Sequence, residues 1–272
     1  MQTRNKATPM NSTTGGHLTP GQRLPDWTTA VSAETQTRCL TAAEVDPAPY
    51  GDVVDMTLLG NECYRALTAA GVSFEGWVQL EQHFEQHRQV RLGESLEVRT
   101  EVAAVDPHAR GTSTHLVFDF SSGGVVALRA EIVALLPDAP LSGPAEQSPS
   151  SPASMTGFEK IATKQLTPDA VKAYSGYVGN AIHVDPKAAL ASGFQAPVAQ
   201  GMMTTTFMTG ILCHRQPPQT ATMRTRFLRP VFWDEAVDVF GRREGDGGLV
   251  ALRCLNADGR LVTEGHVLDL KY

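Results

Sequence analysis

Apolar residues recur at helical spacing over 56–70, where Leu58, Leu59, Cys63, Ala66 and Leu67 fall on one face, and Gly71 follows as a stop. Beyond it the period shortens to two. Ser95-Leu-Glu-Val-Arg-Thr-Glu-Val places an apolar side chain at every second position, the mark of a strand with one buried face. Strands are predicted over 77–84, 95–105, 112–121 and 125–135, separated by the turn residues Leu92-Gly93-Glu94, Asp106-Pro107 and Gly123-Gly124. The order then repeats. A short strand precedes Thr167-Pro168-Asp169, where Thr167 is placed to cap a helix with Pro at its first position. A small-residue loop follows, then a long apolar helix announced by Pro197 over 198–213. Strands over 220–227, 236–244, 249–256 and 261–270 complete the repeat, with Asp246-Gly247-Gly248 and Asp258-Gly259 as hairpins.

Phe84 and Val90 to Val98 correspond in position to Phe227 and Val231 to Val239, so the repetition is one of layout. The expected units are a polar leader over 1–22, a first half over 23–138, a Pro/Ser-rich linker over 139–155 and a second half over 156–272. Each half is expected to be α+β, an antiparallel sheet wrapping one long helix. One such sheet leaves an edge and an apolar face open, and two side by side close both.

The 272 residues suffice for one large or two smaller cores. A net charge of −6 argues against a general nucleic-acid binder, although local arginines can still meet a phosphate. Cys39, Cys63, Cys213 and Cys254 are scattered and form no C-x-x-C pair, so buried free thiols are expected. No apolar run approaches the roughly 20 residues that span a bilayer, and the N-terminus lacks an apolar signal core. A cytoplasmic protein without a membrane partner is expected.

The densest chemistry lies in Tyr174-Ser-Gly-Tyr-Val-Gly-Asn-Ala-Ile-His183-Val-Asp185 and in Gly193-Phe-Gln-Ala-Pro-Val-Ala-Gln-Gly201-Met-Met. The first N–H groups of a helix have no internal partner and sit at the positive end of its dipole. At Gly201 a thioester carbonyl could approach those groups closely, and His183 could move protons beside it.

The pattern resembles the MaoC-like dehydratases, which include the (R)-specific enoyl-CoA hydratases, whose signature runs Asp-x-Asn-Pro-[Ile/Leu]-His-x-Asp and then Gly-Phe-x-x-Pro-[Ile/Val]-Ala-His-Gly-Met. Asn180, Ile182, His183, Asp185, Gly193, Phe194, Pro197, Val198, Ala199, Gly201 and Met202 match. Ala181 and Gln200 depart in a minor way, whereas Val178 stands where the family has its catalytic Asp. The resemblance implies a tandem (double) hotdog with the helices back to back. It also implies an acyl-thioester pocket in which His183 is the acid/base and the Gly201 amide polarises the carbonyl. Close helix packing is the plainer alternative for Gly201.

Val178 carries no proton, so a second group is sought on the first half's helix. Glu62 is the first candidate and Asp55 the next; a solvated helix edge and helix capping are their plainer explanations. Asn180 could hold water or close its own loop, and Asp185 caps the following helix. Val178, Met202, Met203 and Phe207 would line the pocket. Arg226, with Arg224 and Arg229, either meets a CoA phosphate or forms a solvated strand face. His83, His87 and His115 do not make a metal set on a strand and loop.

The expected activity is hydration or dehydration of an enoyl/3-hydroxyacyl thioester, CoA- or carrier-bound, with a thioesterase or a non-catalytic acyl-thioester binder as alternatives. No cofactor is implied beyond the CoA or pantetheine of the substrate. The partner is that small molecule or an acyl carrier protein, with no nucleic acid, and a homodimer is compatible with the tandem.

Overall fold

The structure is a computed structural model and describes residues 18–139, 154–245 and 247–272. The expected leader, apart from residues 18–22, lies outside the described residues, as do 140–153 of the expected linker and Asp246 of the second hairpin.

The first half contributes β1 (Trp27–Thr29), α1 (Ala33–Ala42), a 3-10 turn (Ala48–Tyr50), α2 (Met56–Ala69), β2 (Val78–Gln86), β3 (Leu96–His108), β4 (Gly111–Ser122) and β5 (Val125–Pro137). The second contributes β6 (Phe158–Gln165), α3 (Pro168–Ser175), a 3-10 turn (Ala181–His183), α4 (Pro186–Ala191), α5 (Gly201–Leu212), β7 (Thr220–Phe227), β8 (Ala236–Glu244), β9 (Gly248–Asn256) and β10 (Leu261–Lys271).

One ten-stranded antiparallel sheet results, in the order β1-β3-β4-β5-β2-β7-β10-β9-β8-β6. The order is a palindrome about the β2–β7 pair, where Glu81 faces Arg226 and Gln86 faces Ala221. Each half's own edge strand thus becomes the other's neighbour. Helix α2 lies against β1, β2 and β5, while α5 lies against β9 and β10. The two helices pack on each other. Burial alternates along β3 as the sequence pattern requires, with Leu96, Val98, Thr100 and Val102 inward. The four cysteines are buried free thiols.

Two expectations need correction, and one helix has no counterpart in the sequence pattern. Asp106-Pro107 is not a turn: β3 runs on to His108, with Pro107 opposite Thr112. Strand β1 pairs only with residues 96–98, so the outer side of β3 near Pro107 has no strand partner among the described residues, and its missing N–H costs no ladder bond. The apolar helix begins at Gly201 rather than 198. Val198 and Ala199 are held extended, donating to the carbonyls of Ile182 at 3.2 Å and Val231 at 2.7 Å. Helix α1 escaped the periodicity because its sequence is mostly polar; Gln36, Cys39 and Leu40 are its buried residues, and Ser32 caps it.

Helices α2 and α5 cross antiparallel with a readable register. Thr57 Oγ1 lies 2.7 Å from Thr206 Oγ1, Thr209 Oγ1 donates to Asp55 Oδ2 at 3.0 Å, and a Cβ on Gly60 would sit 2.9 Å from Met202 Cε. The later part of α2 therefore lies beside the beginning of α5.

Candidate active site

Thr167 caps α3 by accepting from the Ala170 amide, and α3 delivers the buried Tyr174, whose hydroxyl lies 2.6 Å from Thr206 Oγ1. From that anchor the loop follows the helix seam toward the start of α5. Gly179 takes a φ of +90°, a region other residues avoid, and lets the chain turn. Asn180 accepts from the Ile182 amide at 3.3 Å, so its side chain closes the loop. Asp185 accepts from the Lys187 amide at 2.8 Å and caps α4, as its Asp-Pro sequence led one to expect.

His183 ends the 3-10 turn, buried, with Nδ1 2.8 Å from the Val198 carbonyl oxygen. A carbonyl only accepts, so this bond places the proton of the neutral ring on Nδ1 and leaves the Nε2 lone pair available. Burial lowers the imidazole pKa from 6.5 to about 4, against a smaller opposing effect of the Val198 bond. At neutral pH the ring is uncharged and can act as a base.

Val198 lies three residues ahead of Gly201, so the bond that orients His183 also ties it to the entry of α5. Gln200 occupies the cap position, but its side chain makes no capping bond among the described residues. The Gly201 carbonyl, by contrast, accepts from Thr204 Oγ1 at 2.8 Å. A Cβ on Gly201 would meet the Phe227 ring at 2.8 Å. The glycine thus serves close packing, with the Phe227 ring seated against the helix start.

Met202, Met203 and Phe207 are buried in the common core, and Val178 is buried with them. A cleft of about 200 Å³ opens beside the motif loop, lined by Trp77, Val78, Leu136, Pro137, Ile182 and Phe194 among others. Its walls come from both halves.

Other candidates are placed elsewhere. Glu62 is buried, but its carboxylate is held by Arg65 at 2.9 and 3.1 Å and by Thr29 Oγ1 at 2.6 Å. Asp55 caps α2, accepting from the Thr57 amide at 2.8 Å and from the Tyr50 hydroxyl at 2.6 Å. Arg226 is not brought to His183: alternation along β7 turns it outward, half-exposed and 3.6 Å from Glu81. His83 and His115 lie near Glu131, at 3.7 and 3.0 Å.

Sequence reasoning missed Asn61 and Tyr177. Asn61 is wholly buried on α2, and neither side-chain atom has a hydrogen-bond partner among the described residues. The Tyr177 hydroxyl is likewise buried and without a well-formed bond, although it comes within hydrogen-bonding influence of Asn61. The signal was an amide in an apolar helix, overshadowed by the carboxylate next to it.

The pseudo-symmetric end of the molecule is closed. There the turn Ala48–Tyr50 precedes α2 as Ala181–His183 precedes α5, but Tyr50 bonds to Asp55, and Asp55 caps the helix. The cavity left there is about 20 Å³.

Two five-stranded halves, each with a central helix and joined edge to edge, define a double hotdog. Residues 152–254 match the MaoC like domain. Over 214 residues the chain is 27% identical to 3-hydroxyacyl-thioester dehydratase X of Mycobacterium tuberculosis, covering 76% of this chain and 75% of that one. The crystal structure of HtdX from the same organism superposes with a TM-score of 0.73 at 22% identity, over 89% of this chain and 99% of that one. A conserved hypothetical Mycobacterium tuberculosis protein described as having a double hotdog fold gives 0.61 at 16% identity, over 92% and 96%. The chain is thus a double-hotdog protein, and the match to the MaoC like domain falls in its C-terminal half.

Proposed function

We propose that this protein is a hydro-lyase interconverting a 3-hydroxyacyl thioester with the enoyl thioester and water. One observation carries the reading: a neutral imidazole, oriented by the Val198 carbonyl, stands at the entry to an uncapped helix start. The MaoC-like domain and the similarity to a 3-hydroxyacyl-thioester dehydratase support it.

Elimination from a 3-hydroxyacyl thioester needs a base for the α-proton, an electrophile for the carbonyl oxygen and a proton for the leaving hydroxyl. The Gly201 amide, at the positive end of the α5 dipole, stabilises the oxyanion as the Cα–H bond breaks. His183 Nε2 takes that proton. As the Cβ–O bond breaks, the imidazolium returns the same proton to the departing oxygen, water leaves, and the ring is neutral again. Hydration is the reverse. A single histidine balances the proton account, so a carboxylate at position 178 is not needed for the proton itself. The acyl chain would lie against Val178, Met202, Met203 and Phe207, and the thioester carrier, CoA or a carrier-bound pantetheine, would enter through the cleft between the halves.

The test is to give the protein crotonyl-CoA and saturated acyl-CoAs, following loss of enoyl absorbance and appearance of free thiol. Hydration without thiol release is expected. Thiol release alone would make it a thioesterase, and binding without either would make it a non-catalytic binder.

A further inference from the structure

Of the nine buried side-chain polar atoms without a hydrogen-bond partner among the described residues, five belong to Asn61, Ser175, Tyr177 and Gln200. Buried polar groups are ordinarily bonded, and each that is not carries a desolvation cost. Asn61 and Tyr177 face each other where the motif loop meets α2, and neither has a well-formed partner there. The register of the central helices shows where that point lies. Thr57 meets Thr206 and Gly60 meets Met202, so Asn61, one residue on, is level with Gly201 and Met202. Tyr177 immediately precedes Val178, on the loop that carries His183, and faces Asn61. The Arg38 guanidinium lies over the Tyr177 ring, 5.4 Å from its centre. Gln200 is the residue just before Gly201.

We propose that Asn61, from the N-terminal half, and Tyr177, from the motif loop, bind the β-oxygen of the substrate, the hydroxyl that leaves as water. The inference rests on the hydro-lyase reading and extends it. The amide and the phenol match the needs of that oxygen: its O–H donates to Asn61 Oδ1, one lone pair accepts from the Tyr177 hydroxyl, and the other stays open to the proton that His183 returns. Burial raises the Tyr177 phenol well above its ordinary pKa, so it remains a donor. The pair would supply neutral orientation where a carboxylate at position 178 would supply charge, leaving His183 as the sole proton carrier. The catalytic site would then span both halves.

The experiment compares wild type, Asn61→Ala and Tyr177→Phe in the full chain. It measures crotonyl-CoA hydration and, on His183→Ala backgrounds that cannot turn over, the binding of 3-hydroxybutyryl-CoA and butyryl-CoA. Each change is expected to weaken binding of the hydroxylated ligand about tenfold and leave that of butyryl-CoA within about twofold. Hydration should fall chiefly in kcat. Tyr177→Phe removes one oxygen and keeps the ring under Arg38, so it remains informative if Asn61→Ala unfolds. Val178→Asp in the Tyr177→Phe background should recover part of the rate. Equal losses for both ligands, or unchanged rates in a wild type that does hydrate crotonyl-CoA, would overturn this pair while leaving the hydro-lyase standing. A wild type inert toward enoyl and 3-hydroxyacyl thioesters would remove both.

Discussion

His183 is the residue on which the chemistry turns, and its environment makes two predictions. Its replacement by Ala should lower the hydration rate by about 10²–10⁴-fold, the usual contribution of general acid/base assistance, and steady-state kinetics with crotonyl-CoA will show it. Because the ring is held neutral down to about pH 4, the acid limb of kcat/KM should fall below the range of an ordinary imidazole. The same shift acts on stability. The unfolded chain takes up this proton near pH 6.5 and the folded chain only near 4, so the unfolded state binds more protons between those values. Stability should therefore fall as pH drops through that window, by roughly 3 kcal/mol at most from this group. Denaturant titrations of wild type and His183→Ala between pH 4 and 7 should separate the two slopes.

At the scale of the element, the central helices are set by small and polar residues at their crossing. Gly60 admits Met202 and Phe84 where any Cβ would sit 2.9 Å from each. Gly60→Val should cost about 1–3 kcal/mol by overpacking, read as a lowered midpoint in thermal or denaturant unfolding. Asp55 is the structural counterpart at the other end of α2. Its carboxylate caps the helix and takes the hydroxyls of Tyr50, Thr57 and Thr209. Asp55→Asn keeps the shape but weakens the acceptors; stability should drop by about 1–2 kcal/mol while kcat stays near wild type. A collapse of kcat with stability intact would place Asp55 in the catalytic machinery instead.

For the whole molecule, the β2–β7 seam makes the two halves one sheet, and the cleft beside the motif loop has walls from both. Residues 156–272 alone would expose the β7 edge and the α2-facing side of α5. That fragment should associate or aggregate, seen by size-exclusion chromatography, and should not hydrate crotonyl-CoA, since its cleft would lack Trp77, Val78 and Leu136. The palindromic strand order gives the motif end a structural duplicate at the start of α2. The duplicate end keeps the geometry of turn and helix start, but Tyr50 and Asp55 fill it.

Local chemistry was legible in the chain itself. Alternation fixed the strands of both halves, Thr167 and Asp185 announced their helices, and the loop ending at His183 stood out because capping, turn geometry and the histidine all depend on near neighbours in sequence. What escaped depends on partners far along the chain. Val198 is kept extended by Ile182 and Val231, Pro107 survives in a strand because β1 stops short, and Glu62 is drawn to Arg65 and Thr29. Asn61 comes level with Gly201 only through the antiparallel crossing of α2 and α5. A sequence specifies period, caps and turns through neighbouring residues, whereas which side chains meet across more than a hundred residues is decided when the two halves pack.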